Sequence, residues 1–235
     1  MKQMDKTLII VAHPELGESS SQQFLIESGE FWTEADYLDL NSLYETEEFD
    51  LVRERERILS YDRLFFQFPL YWYQAPAILK RWLDDMFTMD ANGQAFLKAI
   101  RFKELGLIVS VGIKEDHFQV GAREGRTISE MLVPYEMLAN AMDWKYLPVF
   151  NIHQFEFMTE EEKMDIMMRY ACYIETGNKT SEHKYQQYIL AKLEAISEDD
   201  LPLEMEEQIV FDLFVSTFEE QLDEFDELIN ITKKW

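Results

Sequence analysis

The run Gln67-Phe68-Pro69-Leu70-Tyr71-Trp72-Tyr73-Gln74-Ala75-Pro76-Ala77-Ile78-Leu79-Lys80-Arg81-Trp82 passes from an apolar strand, through three aromatics, into a helix without a spare residue. Tyr71, Trp72 and Tyr73 follow a strand that Pro69 stops, at the edge where open α/β sheets hold their ligands. There they read as a ligand-binding loop. The same three rings could instead close the top of a core.

A second segment has the chemistry of an anion site. After the apolar run Thr7 to Ala12 come His13, Pro14, Glu15, Leu16, Gly17 and Glu18, then Ser19, Ser20, Ser21 and Gln22 at a helix start. Unsatisfied amides and the helix dipole attract phosphate at such a start, and serine hydroxyls add donors. Serines there are also ordinary caps. The third segment is Ser110-Val111-Gly112-Ile113 with His117, Phe118, Arg123 and Arg126 beyond it. The two arginines read either as surface ion pairs or as contacts to an acidic ligand.

These segments need a scaffold that brings three loops to one edge. Leu64 to Phe68, Tyr37 to Leu40, Leu105 to Val111 and Leu147 to Ile152 read as further strands. They alternate with helical stretches at Ser20 to Phe31, Leu51 to Ser60, Pro76 to Thr88, Thr127 to Met142 and Thr159 to Glu175. Alternation of this kind predicts an α/β doubly wound parallel sheet of five strands in the flavodoxin-like order 2-1-3-4-5. The loops after Ala12 and Phe68 should then meet across one cleft. Thr159 and Glu162 are spaced as a capping box, and Cys172 continues an apolar helical face as a buried thiol.

The chain divides into a domain over 1–178 and an acidic helical extension over 179–235. Ser181 to Trp235 carries 15 acidic residues against Lys184, Lys192, Lys233, Lys234 and no arginine. Tyr188, Ile189 and Leu193, then Ile209, Leu213, Phe218, Leu222, Phe225 and Ile229, recur at helical spacing on either side of Pro202. Two amphipathic helices are expected, either packed on the domain or a dimer, or binding a protein partner.

With 235 residues, 47% hydrophobic, the chain suffices for one substantial core. No run approaches a membrane span or a signal peptide. The lone cysteine fits a reducing compartment, so a cytoplasmic protein without direct membrane insertion is expected. A net charge of −24 argues against nucleic acid as a partner. The four histidines, His13, His117, His153 and His183, lack metal-ligand spacing, so no metal site is expected, and no nucleophile elbow occurs.

From Lys6 to Phe157 the chain resembles the flavodoxin-like NAD(P)H:quinone oxidoreductase family, which includes mammalian quinone reductases and bacterial potassium-efflux ancillary flavoproteins. The match is nearly continuous from Gln67 to Trp82. This resemblance implies an FMN-dependent NAD(P)H oxidoreductase, with FAD as the alternative, passing a hydride from NAD(P)H through flavin to a quinone or similar two-electron acceptor. It implies flavin contacts at His13, Ser19, Ser21, Gln22, Pro69, Leu70, Tyr71, Trp72, Tyr73, Ser110, Gly112 and Ile113. Gln22 replaces the usual Asn, and Ile113 a second Gly. Catalytic positions would be Gly112, Phe118 in place of a family Tyr, and the neighbouring His117 as a substitute donor. A homodimer is also implied. The alternative is an ancillary subunit, weakly catalytic or inactive, that binds a partner such as a potassium efflux transporter.

Overall fold

Every side chain of β1 (Thr7–Val11) and β3 (Arg63–Pro69) is buried, as a strand covered by helices on both faces requires. The computed structural model describes residues 6–45, 49–178, 181–196 and 204–232. β1 pairs in parallel with β2 (Asp36–Asp39) on one side and β3 on the other, and β3 pairs with β4 (Glu104–Val111). The order is 2-1-3-4-5 as expected, with β5 (Lys145–Tyr146) and β6 (Phe150–His153) both running parallel to β4.

The expected single strand Leu147 to Ile152 is thus two shorter pieces. Pro148 lies in the gap and has no N–H to give the ladder, although Leu147 still donates to the Leu105 carbonyl at 2.8 Å.

Alternate residues of each strand divide the core in two. On one face Leu8, Ile10, Phe66, Phe68, Leu107 and Val109 pack under α3 (Leu51–Leu59), α4 (Ala77–Met86), α5 (Ala91–Ala99) and α7 (Val133–Ala141). On the other, Ile9, Val11, Phe65 and Ile108 pack under α1 (Ser20–Trp32) and α8 (Glu160–Thr176). Thr159 caps α8 in a capping box with Glu162, and Cys172 is buried in that helix.

Two helices escape sequence periodicity. α2 (Leu40–Glu45) has six residues and starts where the Asp39 carboxylate accepts the Asn41 N–H at 3.0 Å. α5 contains Asn92 and Gly93, poor helix formers, and starts because Asp90 accepts the Gly93 N–H at 2.7 Å. The stretch Thr127 to Met142 is broken at Leu132 into α6 (Ile128–Met131) and α7, with Pro134 in the first turn of the second.

Contacts separate two compact units, Met1–Lys179 and Thr180–Trp235. The second contains α9 (Glu182–Glu194) and α10 (Met205–Thr232). Pro202, expected between them, lies outside the described residues, as do the side chains of Phe225 and Ile229.

The aromatic loop is a tight reversal. Tyr71 and Gln74 exchange N–H···O bonds of 2.9 and 3.0 Å, and the two central residues, Trp72 at φ 48° and Tyr73 at φ 68°, are both left-handed. That is the pattern of a type I′ turn, which ordinarily takes Asn-Gly. Trp72 is 91% exposed, so burial does not offset the strain of its backbone.

At the opposite edge, buried Arg63 pairs with Glu104 at 2.6 Å and donates to the Ile174 and Glu175 carbonyls at the end of α8. Burial alone would raise the Glu104 carboxyl, but hydrogen bonds from Lys145 and Arg63 outweigh it and hold the group below its ordinary range.

Trp72→Asn should raise stability by about 1 kcal/mol, read by chemical denaturation, because asparagine tolerates the left-handed region. Glu104→Gln should cost about 3 kcal/mol at pH 7 by leaving Arg63 without its counter-charge. With the folded pKa depressed, the wild-type contribution is complete above the unfolded value of about 4.3 and is lost as pH falls below it. The gap between wild type and variant should therefore close on acidification; a constant gap would contradict this account.

Candidate functional site

Three loops meet at the carboxyl edge because the ladders continue past the strands. The Ala12 N–H donates to the Gln67 carbonyl at 2.9 Å, and the Leu70 N–H donates to the Ser110 carbonyl at 2.9 Å. Between the loops lies a cleft of about 150 Å³, bordered by Ser21, Pro69, Leu70, Tyr71, Ser110, Val111 and Gly112, and closed on the far side by Ile152 and Gln154 to Phe157.

At one end stands the start of α1. Ser19 is its N-cap, accepting the Gln22 N–H, and its hydroxyl lies 3.4 Å from that of Ser21. The first-turn amides have no carbonyl one turn earlier to bond. His13 accepts the Glu15 N–H on Nδ1 at 3.1 Å, so the proton of its neutral ring sits on Nε2, 3.3 Å from the Tyr71 hydroxyl. Burial holds the imidazole below its usual pKa, which favours that neutral form. The cleft end thus presents neutral donors. Charge nearby is negative: Glu156 borders the cleft and accepts the Ser20 hydroxyl.

Gln22 does not face the loop. Its side chain is fully buried, donating through Nε2 to Ser110 Oγ at 3.0 Å and accepting from Gln67 Nε2 at 2.9 Å. The extra methylene relative to asparagine lets the amide reach inward across the α1–β4 gap, so its side chain holds Ser110 rather than standing free for a phosphate.

The other candidates divide by position. Pro69, Leu70, Tyr71, Ser21, Ser110 and Gly112 border the cleft, and Ser19 and His13 stand beside them. Trp72 points to solvent, and Tyr73 donates to Glu124 at 2.9 Å, tying the aromatic turn to the loop after β4. Glu124 in turn pairs with Arg123 at 3.3 Å, while Arg126 lies 3.8 Å from Glu130. These arginines therefore make the surface ion pairs of the simpler reading.

Phe118 and His117 do not border the cleft. Phe118 is 7% exposed and belongs to the core, with its ring 5.7 Å from that of His153. Lacking a hydroxyl, it has no polar group to send outward, so burial is its cheapest position. His117 Nδ1 is buried without a hydrogen-bond partner among the described residues, and Nε2 lies 3.8 Å from Asp116. Ile113 offers its carbonyl to His153 Nδ1 at 2.8 Å, which puts the His153 proton on that nitrogen.

Sequence reasoning missed the far wall, Ile152 and Gln154 to Phe157. Gln154 is left-handed at φ 50°, which turns the chain over the cleft. The rule that ligands sit beyond strand ends, applied to the fifth strand as to the others, would have pointed to it. No cluster of three or more metal-ligating side chains occurs among the described residues. No helix there is long and apolar enough to cross a membrane.

Residues 5–176 match the family described as having a flavodoxin-like fold. The chain is 33% identical over 170 residues to the uncharacterized NAD(P)H oxidoreductase YrkL of Bacillus subtilis (strain 168), covering 72% of this chain and 97% of that protein. Among solved structures, the NADPH-quinone reductase from P. pentosaceus superposes with a TM-score of 0.65 at 36% identity, covering 73% of this chain and 98% of the other. General stress protein 14 from Treponema denticola, solved in complex with FMN, superposes with a TM-score of 0.61 at 26% identity, covering 80% and 99%. A match over the whole sheet and the three loops at its edge makes this chain a member of the flavodoxin-like NAD(P)H:quinone oxidoreductase family.

Proposed function

We propose that the chain is an FMN-dependent NAD(P)H oxidoreductase whose acceptor is a quinone or a similar two-electron acceptor. The carrying observation is Gly112. It borders the cleft, and a Cβ added there would meet no protein atom within 4 Å, so the floor is open where a flat ring would lie. The donor set suits the rest of FMN: first-turn amides, the Ser19 and Ser21 hydroxyls and His13 Nε2–H for the phosphate, and the main chain of Leu70 and Tyr71 for the ring edge.

Bound flavin would supply two-electron chemistry between a nicotinamide and the acceptor. The protein would position rings and exclude water, with no side-chain nucleophile. With Arg123 and Arg126 paired to glutamates, the donors for an anion at the α1 end of the cleft are neutral and oriented. Phe118, packed in the core, brings no hydroxyl to the cleft; a donor that stabilises charge on a reduced ring is worth of the order of 10²–10³ in rate where the chemistry uses one. We place the protein in the cytoplasm and expect a homodimer.

A second reading, an ancillary subunit of a membrane transporter such as a potassium efflux system, draws on α10, which exposes Ile209, Val210, Leu213 and Phe214. Turnover that survives truncation after Asn178 would assign the helices to a partner rather than to the chemistry.

After incubation with FMN and desalting, the protein should keep the visible flavin spectrum and lose it on anaerobic addition of NADPH or NADH. Flavin that stays oxidised would favour the ancillary reading; no retained flavin would overturn both FMN readings. Gly112→Leu should fold with unchanged stability and weaken FMN binding at least about 100-fold, a cost near 2.7 kcal/mol, because its side chain fills the open floor. Unchanged FMN affinity would move the ring elsewhere.

A further inference from the structure

The core between α1, α8 and the sheet contains one continuous chain of polar side chains. The Tyr37 and Tyr170 hydroxyls are 3.1 Å apart, and Tyr170 donates to Gln67 Oε1 at 2.6 Å. Gln67 Nε2 donates to Gln22 Oε1 at 2.9 Å, and Gln22 Nε2 donates to Ser110 Oγ at 3.0 Å. Gln22, Gln67 and Tyr170 are fully buried, and Ser110, half-buried, borders the cleft. Uncompensated burial of two amides costs several kcal/mol, so a network this deep in a parallel sheet demands a reason.

Room has been made for it. Gly29 sits inside α1 at the start of its last turn, and glycine within a helix weakens it by roughly 1 kcal/mol. A Cβ there would lie 1.7 Å from the Tyr37 hydroxyl and 3.1 Å from the Tyr170 ring. The glycine therefore admits the tyrosine pair.

The bonds run in one direction. Tyr170 gives its proton to Gln67, so Tyr37 must donate to Tyr170, and each amide then accepts on its oxygen and donates on its nitrogen. Ser110 Oγ ends the series as an acceptor, which leaves its own proton for the cleft. The opposite polarity, with both amides flipped, would leave the last proton on Tyr37. That hydroxyl lies against Gly29 and Tyr170 and has no second hydrogen-bond partner among the described residues.

We propose that the chain Tyr37–Tyr170–Gln67–Gln22–Ser110 is a positioning network that fixes the Ser110 hydroxyl as a donor to an acceptor atom of the bound flavin. The proposal rests on the reading of the cleft as an FMN site. Ser110 is the contact; Gln22, Gln67 and Tyr170 act through it, and Tyr37 closes the far end as the donor to Tyr170. Removing the Tyr170 hydroxyl leaves Gln67 Oε1 without its donor and both amides free to turn, so Ser110 can direct its proton inward to Gln22.

The test is a double-mutant cycle on FMN dissociation constants, measured by quenching of flavin fluorescence in the full chain. Tyr170→Phe should weaken FMN binding about tenfold when Ser110 is present and less than about twofold in the Ser110→Ala background, a coupling near 1.4 kcal/mol. Tyr37→Phe, which leaves the direction of every later bond intact, should change affinity less than about twofold. Should Tyr170→Phe not fold, Gln22→Asn, one methylene short of Ser110, should give the same tenfold, Ser110-dependent loss. A wild-type protein that binds FMN, with losses equal whether Ser110 is present or replaced, would overturn the network and leave the FMN reading intact. A wild-type protein that binds no FMN would overturn both.

Discussion

The structure depends on the parallel pairing of β1, β3 and β4, extended by one residue at each top. Those three strands are buried on both faces, so their register admits no slip without turning large apolar side chains toward the wrong layer. Once register is set, the Ala12 amide meets the Gln67 carbonyl and the Leu70 amide meets the Ser110 carbonyl. The loop geometry is inherited from the ladder. Arg63 and Glu104 secure the other end, binding the start of β3 and β4 to the end of α8, so that the sheet is clamped at its base and shaped at its top.

Charge imposes the second constraint. Carboxylates outnumber cations by 46 to 22, and Arg123 and Arg126 in the loop after β4 are paired with neighbouring glutamates. The donors that the start of α1 offers to an anion are neutral and oriented. The neutral state of His13 belongs to the same arrangement: buried, it accepts a backbone N–H on one nitrogen and presents a proton on the other. Glu156 sets a limit on the negative charge this end tolerates, since its carboxylate borders the same cleft and occupies the Ser20 hydroxyl.

Polar groups inside the sheet carry the coupling between scaffold and cleft. Gln22 and Gln67 would be expensive in an apolar layer, yet every one of the bonds they make joins a different element: α1 to β4, β3 to α1, and α8 to β3. They specify which surface of α1 meets the sheet more sharply than leucine packing could, because a rotated helix would leave two amides unsatisfied. The strained aromatic turn is the counterpart at the rim. Trp72 and Tyr73 hold left-handed backbone that their residue types disfavour, and the tie from Tyr73 to Glu124 fixes the turn against the next loop.

Much of this was legible from local signals. Apolar runs and helical stripes determined the alternation of strands and helices and hence the sheet order, since each follows from the burial of one face or two. The capping pair Thr159 and Glu162 determined where α8 begins, and the continuous match from Gln67 to Trp82 identified the aromatic loop. Helices α2 and α5 were not legible, because one is too short for a period and the other contains Asn92 and Gly93. What only the tertiary structure decided was direction. The family resemblance implied Gln22 beside a flavin and Phe118 beside its ring, but the amide turns inward to partners 45 and 88 residues away, and the phenyl ring is drawn into the core. Local sequence determines which residues reach the cleft edge; the hydrogen-bonding demand of buried polar atoms and the lack of any such demand in a phenyl ring determine which way each side chain faces.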